Sequence, residues 1–296
     1  MMNEFKNYHP LVNFSYFAAV IGFSMFLLHP ACLLASFSGS LSYALALKGR
    51  KALRNNLLYM LPMVIMAALI NPAFNHEGVT ILAYFPNGNP LTSESIAYGI
   101  AAAVMLVSVL NWFSCYNEIM TTDKFIYLFG RIMPSLSLVL AMTFRFVPKF
   151  SAQLKEVVIA QRTLGLDIAS GSVLNRMKNA LMILSAMTSW ALENAVDTAD
   201  SMKARGYGLP KRSAFTIFRL TARDKKFLLA IILLSGGTIL AKMAGGLYFR
   251  YFPSLKGGGI SLASVFAWGA YFLLCFLPLI AEIWEVKKWN AIKSKI

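Results

Sequence analysis

Residues 95–117 read SIAYGIAAAVMLVSVLNWFSCYN and contain no charged side chain. At ~1.5 Å per residue, a helix of this length crosses the ~30 Å hydrocarbon core of a bilayer. Five further apolar segments occur along the chain, at about 11–28, 31–47, 56–71, 226–245 and 260–284. The pattern predicts an all-α, polytopic membrane protein with about six transmembrane helices.

The composition agrees with a membrane protein and excludes several other classes. The 296 residues are 57% hydrophobic and 14% charged, whereas a soluble domain carries about 25% charged residues. The net charge is +15, which we interpret as a topology signal and not as a nucleic-acid surface. The three cysteines are isolated from one another, so neither a metal site nor a disulfide framework is indicated. We expect no cofactor.

The positive charges predict the orientation in the membrane. Lys48, Arg50, Lys51 and Arg54 cluster after the second segment, whereas residues 72–94 contain no Lys or Arg. The positive-inside rule puts the basic cluster in the cytoplasm and residues 72–94 outside. Continuing the count of segments gives cytoplasmic termini at both ends.

Half of the basic residues, 14 of 28, lie within 145–226. This interval predicts two cytoplasmic helices, one entering after Pro134 and ending at Gly165, the other from Ser172 to Arg205. The second would be about 50 Å long. The organisation is therefore three parts: N-terminal transmembrane helices 1–130, cytoplasmic coupling helices 131–225 and C-terminal transmembrane helices 226–296.

The second cytoplasmic helix has an apolar stripe at helical spacing. The stripe consists of Val173, Met177, Leu181, Leu184, Thr188, Ala191, Ala195, Ala199 and Met202. Small side chains on such a face let a partner helix approach closely. The expected packing residues of this helix are Ala191, Ala195, Ala199 and Met202.

The same helix ends in ENAVDTADSMKARGYGLPKR, residues 193–212. Arg205 precedes Gly206, and a glycine followed by a proline is a typical end of a helix. Arg205 would then interact with the helix dipole, which is worth ~0.3–1 kcal/mol. Arg145, within an apolar run, has a similar simple interpretation, in which its side chain reaches the membrane interface. A direct role remains open for each arginine.

Groups for catalysis are sparse. The three histidines lie in three different loops, and no phosphate-binding GxxxxGK[ST] motif occurs. Glu118 with Asp123 is the one carboxylate pair that would suit an enzyme acting on lipid-like substrates, although such charges commonly flank a loop. The apolar segments contain almost no ionisable side chain, which argues against a standalone carrier. We therefore expect a protein that is not an enzyme.

Five short motifs carry a family resemblance. They are HPLVNFSYF (9–17), NPAF (71–74), LAMTFRFVPKF (140–150), AQRTLG (160–165) and ADSMKARGYG (199–208). In this order and spacing they resemble the transmembrane T component of energy-coupling-factor transporters. These are ABC-type importers that include vitamin systems and the cobalt and nickel systems.

The resemblance implies two coupling helices, each of which docks through a short arginine motif on one of two ABC-type ATPase subunits. Ala204, Arg205 and Gly206 match the second motif. In the first motif Leu164 stands in the place of the arginine, and Arg162 lies about 200° away around the helix. The first helix would dock through apolar contact or through Arg162.

The resemblance also implies the function. The chain would be a coupling subunit in the lipid bilayer, linking ATP hydrolysis by its partners to uptake of a vitamin or a transition-metal ion. A separate substrate-binding membrane subunit, the S component, would recognise the substrate. The alternatives are a polytopic membrane enzyme acting on lipid-like substrates and a standalone carrier. A basic nucleic-acid binder does not fit, because the positive charge follows the membrane topology.

Overall fold

A computed structural model describes residues 4–49, 54, 58, 60–84, 86, 88–130, 133–166, 172–207, 209 and 218–293. After a short 3-10 helix (Glu4–Asn7), its elements in chain order are α1 (Pro10–Phe26), α2 (Pro30–Lys48), α3 (Leu61–Phe74), β1 (Ile81–Tyr84), β2 (Pro90–Thr92), α4 (Ser93–Ile119), α5 (Thr122–Gly130), α6 (Pro134–Thr163), α7 (Val173–Ala204), α8 (Ala222–Met243), β3 (Phe249–Arg250), β4 (Lys256–Gly257) and α9 (Leu262–Lys293). The chain divides into two compact units, one of Met1–Lys124 with Phe218–Ile296 and one of Phe125–Ile217.

All six apolar segments coincide with helices of the first unit. Within the part of the chain that the structure describes, four helices are long and apolar enough to cross a membrane, namely α2, α4, α8 and the stretch Leu262–Lys287 of α9. The apolar helices Pro10–Phe26 and Pro62–Phe74 are shorter. The prediction of an all-α polytopic membrane protein is confirmed. Residues 56, 57 and 59 of the third predicted segment lie outside the described residues.

The core of the first unit is aromatic and contains a buried chain of hydroxyl groups. Trp112 and Tyr271 are fully buried. The hydroxyl oxygens of Ser24 and Ser36 are 2.6 Å apart, and that of Ser24 is 3.1 Å from Tyr271 Oη. Trp112 donates its indole N–H to Ser36 Oγ at 3.1 Å. These contacts satisfy polar groups that are buried in the interior of the unit.

Two glycines let neighbouring helices approach each other closely. A Cβ atom on Gly39 of α2 would lie 2.9 Å from Cys275 Cβ of α9, and one on Gly99 of α4 would lie 2.9 Å from the carbonyl oxygen of Ala68 in α3. Small residues at such positions are typical of helix packing in membranes. Cys275 is free and buried at this contact, so its role is packing.

Two of the three histidines are the N-cap residues of helices. His9 Nδ1 accepts the backbone N–H of Leu11 at 3.2 Å, and His29 Nδ1 accepts that of Ala31 at 3.2 Å. Each histidine precedes a proline at the first helical position, where a missing N–H costs nothing. Burial lowers the pKa of both imidazoles, which keeps Nδ1 available as an acceptor. The sequence placed these histidines in loops and missed this capping role.

A polar cluster joins the N-terminal segment to α8 and α9. Asp224 forms a capping box at the start of α8 and accepts the backbone N–H of His9 at 3.1 Å. Arg223 forms a 2.7 Å salt bridge with Glu285 and lies over the ring of Tyr8, 4.2 Å from its centroid. These contacts link three segments that are far apart in the chain.

The loop predicted to lie outside the membrane contains a hairpin that the sequence analysis missed. β1 pairs with β2 in antiparallel register, with Ile81 opposite Thr92. The buried carboxylate of Glu94 accepts the hydroxyl of Thr80 at 2.9 Å and holds the start of the hairpin. The third apolar segment was expected to end at about residue 71, but α3 continues through Pro72 to Phe74.

Candidate functional site

The second unit contains the two long helices that the sequence predicted as coupling helices. α6 has 30 residues and continues through Pro148, whereas α7 has 32 residues. At ~1.5 Å per residue they are about 45 and 48 Å long. The side chain of Ser172 caps α7 by accepting the backbone N–H of Asn175 at 3.4 Å. The helix predicted from Ser172 to Arg205 is therefore present.

α6 and α7 contact each other through aromatic, cationic and amide side chains. The rings of Phe150 and Trp190 meet edge to face, with centroids 5.1 Å apart. Lys149 Nζ lies 5.5 Å from the Trp190 ring centroid and donates a hydrogen bond to Asn194 Oδ1. The buried side chain of Met187 lies on the same face of α7. This contact brings together residues about 40 positions apart in the chain.

The end of α7 is a Schellman motif. Gly206 has φ 74° and donates its N–H to the carbonyl of Lys203 at 3.0 Å. Tyr207 donates its N–H to the carbonyl of Met202 at 3.0 Å. Only glycine adopts this φ without strain. Arg205 is the C-cap residue, so its exposed side chain stands at the tip of the helix.

The end of α6 is built in the same way. Gly165 has φ 80° and donates to the carbonyl of Arg162 at 3.1 Å, and Leu166 donates to that of Gln161 at 3.0 Å. Leu164 is the C-cap residue, and 73% of its surface is exposed. Arg162 is exposed two residues earlier, about 200° around the helix.

A cleft of about 640 Å³ lies between α6 and α7. Each helix contributes six residues at the spacing i, i+3, i+4, i+7, i+8, i+11, which is one face of a helix. The lining residues are Leu138, Ala141, Met142, Arg145, Phe146 and Lys149 from α6, and Asn194, Asp197, Thr198, Ser201, Met202 and Arg205 from α7, with Tyr207. The cleft therefore combines an apolar wall with charged and hydroxyl groups.

The charge of the cleft is positive. Arg145, Lys149 and Arg205 line it together with one carboxylate, Asp197. Within 133–166 and 172–207, neither Arg145 nor Arg205 forms a salt bridge with a carboxylate. No carboxylate within these two ranges therefore neutralises either guanidinium group.

The predicted site residues of α7 separate into two groups. Met202 and Arg205 line the cleft, and Gly206 is half-buried beside it. Ala191 is half-buried, whereas Ala195, Ala199 and Ala204 are exposed. The large side chains of the predicted stripe are also exposed: Val173, Met177, Leu181 and Leu184.

The face of α7 that packs against α6 was not identified from the sequence. It is centred on Ile183, Met187, Trp190 and Asn194, about 100° around the helix from the predicted stripe. Trp190 is large and the Lys149–Asn194 pair is polar, so hydrophobic periodicity alone favoured the other face. Apart from Ala191 and Met202, which are half-buried, the predicted stripe is exposed within the described part of Phe125–Ile217.

The candidate catalytic groups considered in the sequence are not brought together in the described part of the chain. Among the described residues, no three His, Cys, Asp or Glu side chains are grouped so that they could hold a metal ion. Glu118 and Asp123, the carboxylate pair considered for an enzyme, are both exposed to solvent. His9 and His29 are occupied as helix caps.

Comparison with known proteins finds similarity to EcfT proteins of several bacteria. The energy-coupling factor transporter transmembrane protein EcfT of Exiguobacterium sibiricum is 29% identical over 112 residues, which cover 38% of this chain and 42% of that protein. The EcfT of Lacticaseibacillus paracasei is 32% identical over 108 residues, 36% of this chain and 41% of that protein. This chain is similar to EcfT proteins over about a third of its length. The resemblance seen in the sequence motifs is confirmed.

The match covers part of each protein. The EcfT of Listeria innocua is 31% identical over 102 residues, 34% of this chain and 38% of that protein. The EcfT-like chain thus spans about two fifths of the length of the curated relatives it matches. No family model matches it.

Proposed function

We propose that the EcfT-like chain is the transmembrane coupling subunit of an energy-coupling-factor importer. In this role it links ATP hydrolysis by two ABC-type ATPase subunits to substrate uptake by a separate membrane S component. The proposal rests on one observation: the cationic side chain of Arg205 is exposed at the tip of a 32-residue helix, in a chain that is similar to EcfT proteins.

Arg205 is suited to docking on a partner. The Schellman motif holds the backbone at the helix end, so the guanidinium starts from a defined point. An arginine makes charge-assisted, two-pronged hydrogen bonds with carboxylates. We assign the second ATPase-docking motif to Ala204, Arg205 and Gly206. A helix about 48 Å long then carries movement of the ATPase towards the membrane.

We call α6 the first arm and α7 the second arm. In this proposal the first arm docks through Leu164. Leu164 holds the C-cap position that Arg205 holds in α7, and its side chain is largely exposed. Arg162 projects to a different side of the helix. The two ATPase subunits would therefore receive different chemistry, an apolar side chain from α6 and a cation from α7.

The exposed part of the predicted stripe of α7 is the proposed contact with the S component. The large side chains of the stripe are exposed; for example, Val173 is 76% exposed and Leu184 is 60% exposed. The small residues Ala195 and Ala199 continue the stripe and allow close approach of a helix. Exposed apolar surface of this kind marks protein or membrane contacts.

The chain itself would make or break no bond, and ATP would be bound by its partners. The substrate, a vitamin or a transition-metal ion, would be recognised by the S component. Both termini would lie in the cytoplasm, as the distribution of Lys and Arg predicts.

Affinity purification of the full chain from its own cells tests the proposal. We expect two P-loop ATPases and a membrane S component to co-purify, and the reconstituted complex to take up substrate only with ATP. Solute transport by the purified chain alone in liposomes would indicate a standalone carrier. Protease mapping that puts Arg205 outside the cell would contradict the docking role.

A further inference from the structure

The cleft between α6 and α7 has more positive charge than the packing of the two helices uses. Lys149 is engaged between the helices by Asn194 Oδ1 and the Trp190 ring. Arg145 and Arg205 have no carboxylate partner within 133–166 and 172–207. The cleft therefore offers a site with a net positive charge to an anion.

The walls of the cleft are apolar next to these cations. Leu138, Met142 and Phe146 of α6 and Met202 of α7 line the same space as Arg145. A small inorganic anion needs hydrogen-bond donors but no apolar wall. This combination instead suits an amphiphile with an anionic head and a hydrocarbon chain.

The stretch of α6 around Arg145 is apolar on its other faces as well. From 134 to 147, Arg145 is the one charged residue in the sequence. Val139, Phe144 and Val147 are exposed on faces that do not line the cleft. A helix that is apolar on most faces requires a bilayer or a partner as its surroundings, and arginine reaches from such a helix to lipid phosphate.

We propose that the cleft binds one anionic glycerophospholipid, with its phosphate held by Arg145 and an acyl chain along the apolar wall. Lys149 and Arg205 add positive potential, and Ser201 and Asp197 are positioned on the opposite wall to bind headgroup hydroxyls. The volume of about 640 Å³ is within the range of ligand sites and accommodates a headgroup with the first part of a chain. This site goes beyond the coupling function.

Native mass spectrometry of the purified full chain, titrated with phosphatidylglycerol or phosphatidylcholine, tests the charge requirement. We expect one phosphatidylglycerol to bind in preference to phosphatidylcholine. Arg145→Gln should weaken phosphatidylglycerol binding by about tenfold or more, because a hydrogen bond to a charged group is lost. The matched control Lys155→Gln removes an exposed cation of α6 outside the cleft and should leave binding unchanged.

A second pair of variants tests the apolar wall without altering charge. Ala141→Trp fills the cleft and should weaken binding, whereas Ala152→Trp, on exposed surface of the same helix, should not. Equal binding of the two lipids, no effect of Arg145→Gln and Ala141→Trp, or equal competition by inorganic phosphate would each overturn the proposal. The assay contains no ATPase, so its outcome is independent of the coupling function.

Discussion

Leu164 and Arg205 occupy the same position in two matching helix ends. Leu164 has φ −86° and ψ 5°, and Arg205 has φ −83° and ψ 8°. Each precedes a glycine with positive φ, and each helix end is closed by the same pair of backbone hydrogen bonds. The two arms are thus equivalent in backbone and different in chemistry, because one tip is apolar and the other is cationic.

Replacement of the cationic tip should affect partners more than the fold. Arg205→Ala removes an exposed side chain from a helix end that backbone hydrogen bonds still close. We expect association with the ATPase subunits to weaken by about 2–5 kcal/mol, the cost of breaking an interfacial charge pair. Co-purification and ATP-driven uptake measure the loss.

Lys203→Ala is the matched control for Arg205→Ala. Lys203 is exposed two residues earlier and pairs with Asp200 at 3.7 Å. Loss of such a surface pair costs at most about 1 kcal/mol. An unfolded Arg205→Ala protein, or one that binds ATPases as tightly as Lys203→Ala does, would reduce Arg205 to a helix-capping residue.

Leu164→Gln should weaken docking of the first arm. The proposed contact buries this side chain, and burial of a leucine is worth about 1.5–3 kcal/mol. Leu154→Gln changes an exposed leucine of the same helix about 15 Å from the tip and should have a smaller effect. Pull-down of the ATPases compares the two. If Arg162→Gln weakens binding and Leu164→Gln does not, the arm docks through Arg162.

The glycines that end the two arms should not tolerate alanine. Gly165→Ala and Gly206→Ala each force a side chain into the left-handed region, at about 1–2 kcal/mol. The Gly206 variant should be affected at least as much, because its Cβ would lie 3.1 Å from Leu209 Cδ1, whereas space at Gly165 is open. Hydrogen exchange at the last helical turns measures the effect.

Gly236→Ala is the control for the two helix-end variants. Gly236 lies inside α8, and open space exists where its Cβ would stand. Alanine is favoured over glycine within a helix, so this variant should be neutral or slightly stabilised. Equal protection of the helix ends in all three variants would contradict the importance of the Schellman motifs.

Stability should decrease at acidic pH through the two histidine caps. Burial lowers the pKa of His9 and His29 in the folded state below the usual value of about 6.5. The unfolded chain therefore binds more protons below about pH 6.5, and the free energy of unfolding falls as the pH drops through that range. Protonation also removes the Nδ1 acceptor of each cap.

Thermal unfolding between pH 5 and pH 8 measures this dependence. The double variant His9→Asn, His29→Asn retains side-chain acceptors suited to a helix cap and has no group that titrates there. Its stability should vary less with pH than that of the original chain. His76→Asn, in the loop before the hairpin, serves as the control. Identical pH profiles for the double variant and the original chain would contradict the capping explanation.

Much of the helical framework could be predicted from the chain. All six apolar segments coincide with helices, because length and hydropathy decide whether a segment suits a bilayer. The ends of α6 and α7 were predicted correctly from Gly165 and Gly206, since few other residues adopt a positive φ. The hairpin of β1 and β2 was missed, because four and three residues give too little periodicity to recognise.

The histidine caps and the cluster of Arg223, Glu285 and Tyr8 were also missed. A single polar residue next to an apolar helix belongs to no periodic pattern, so the sequence does not indicate which residue it contacts. Tyr8 and Glu285 are 277 positions apart, and their contact depends on how the helices assemble.

By itself, the sequence determined the helices, their ends and the residues at their tips, because these depend on local length, hydropathy and backbone conformation. Only the tertiary structure decided which face of α7 packs against α6 and that Arg145 and Arg205 line one cleft. An apolar stripe shows that a helix face needs cover, but not what covers it. The choice depends on the fit of side chains such as Phe150 and Trp190, which become neighbours only after folding.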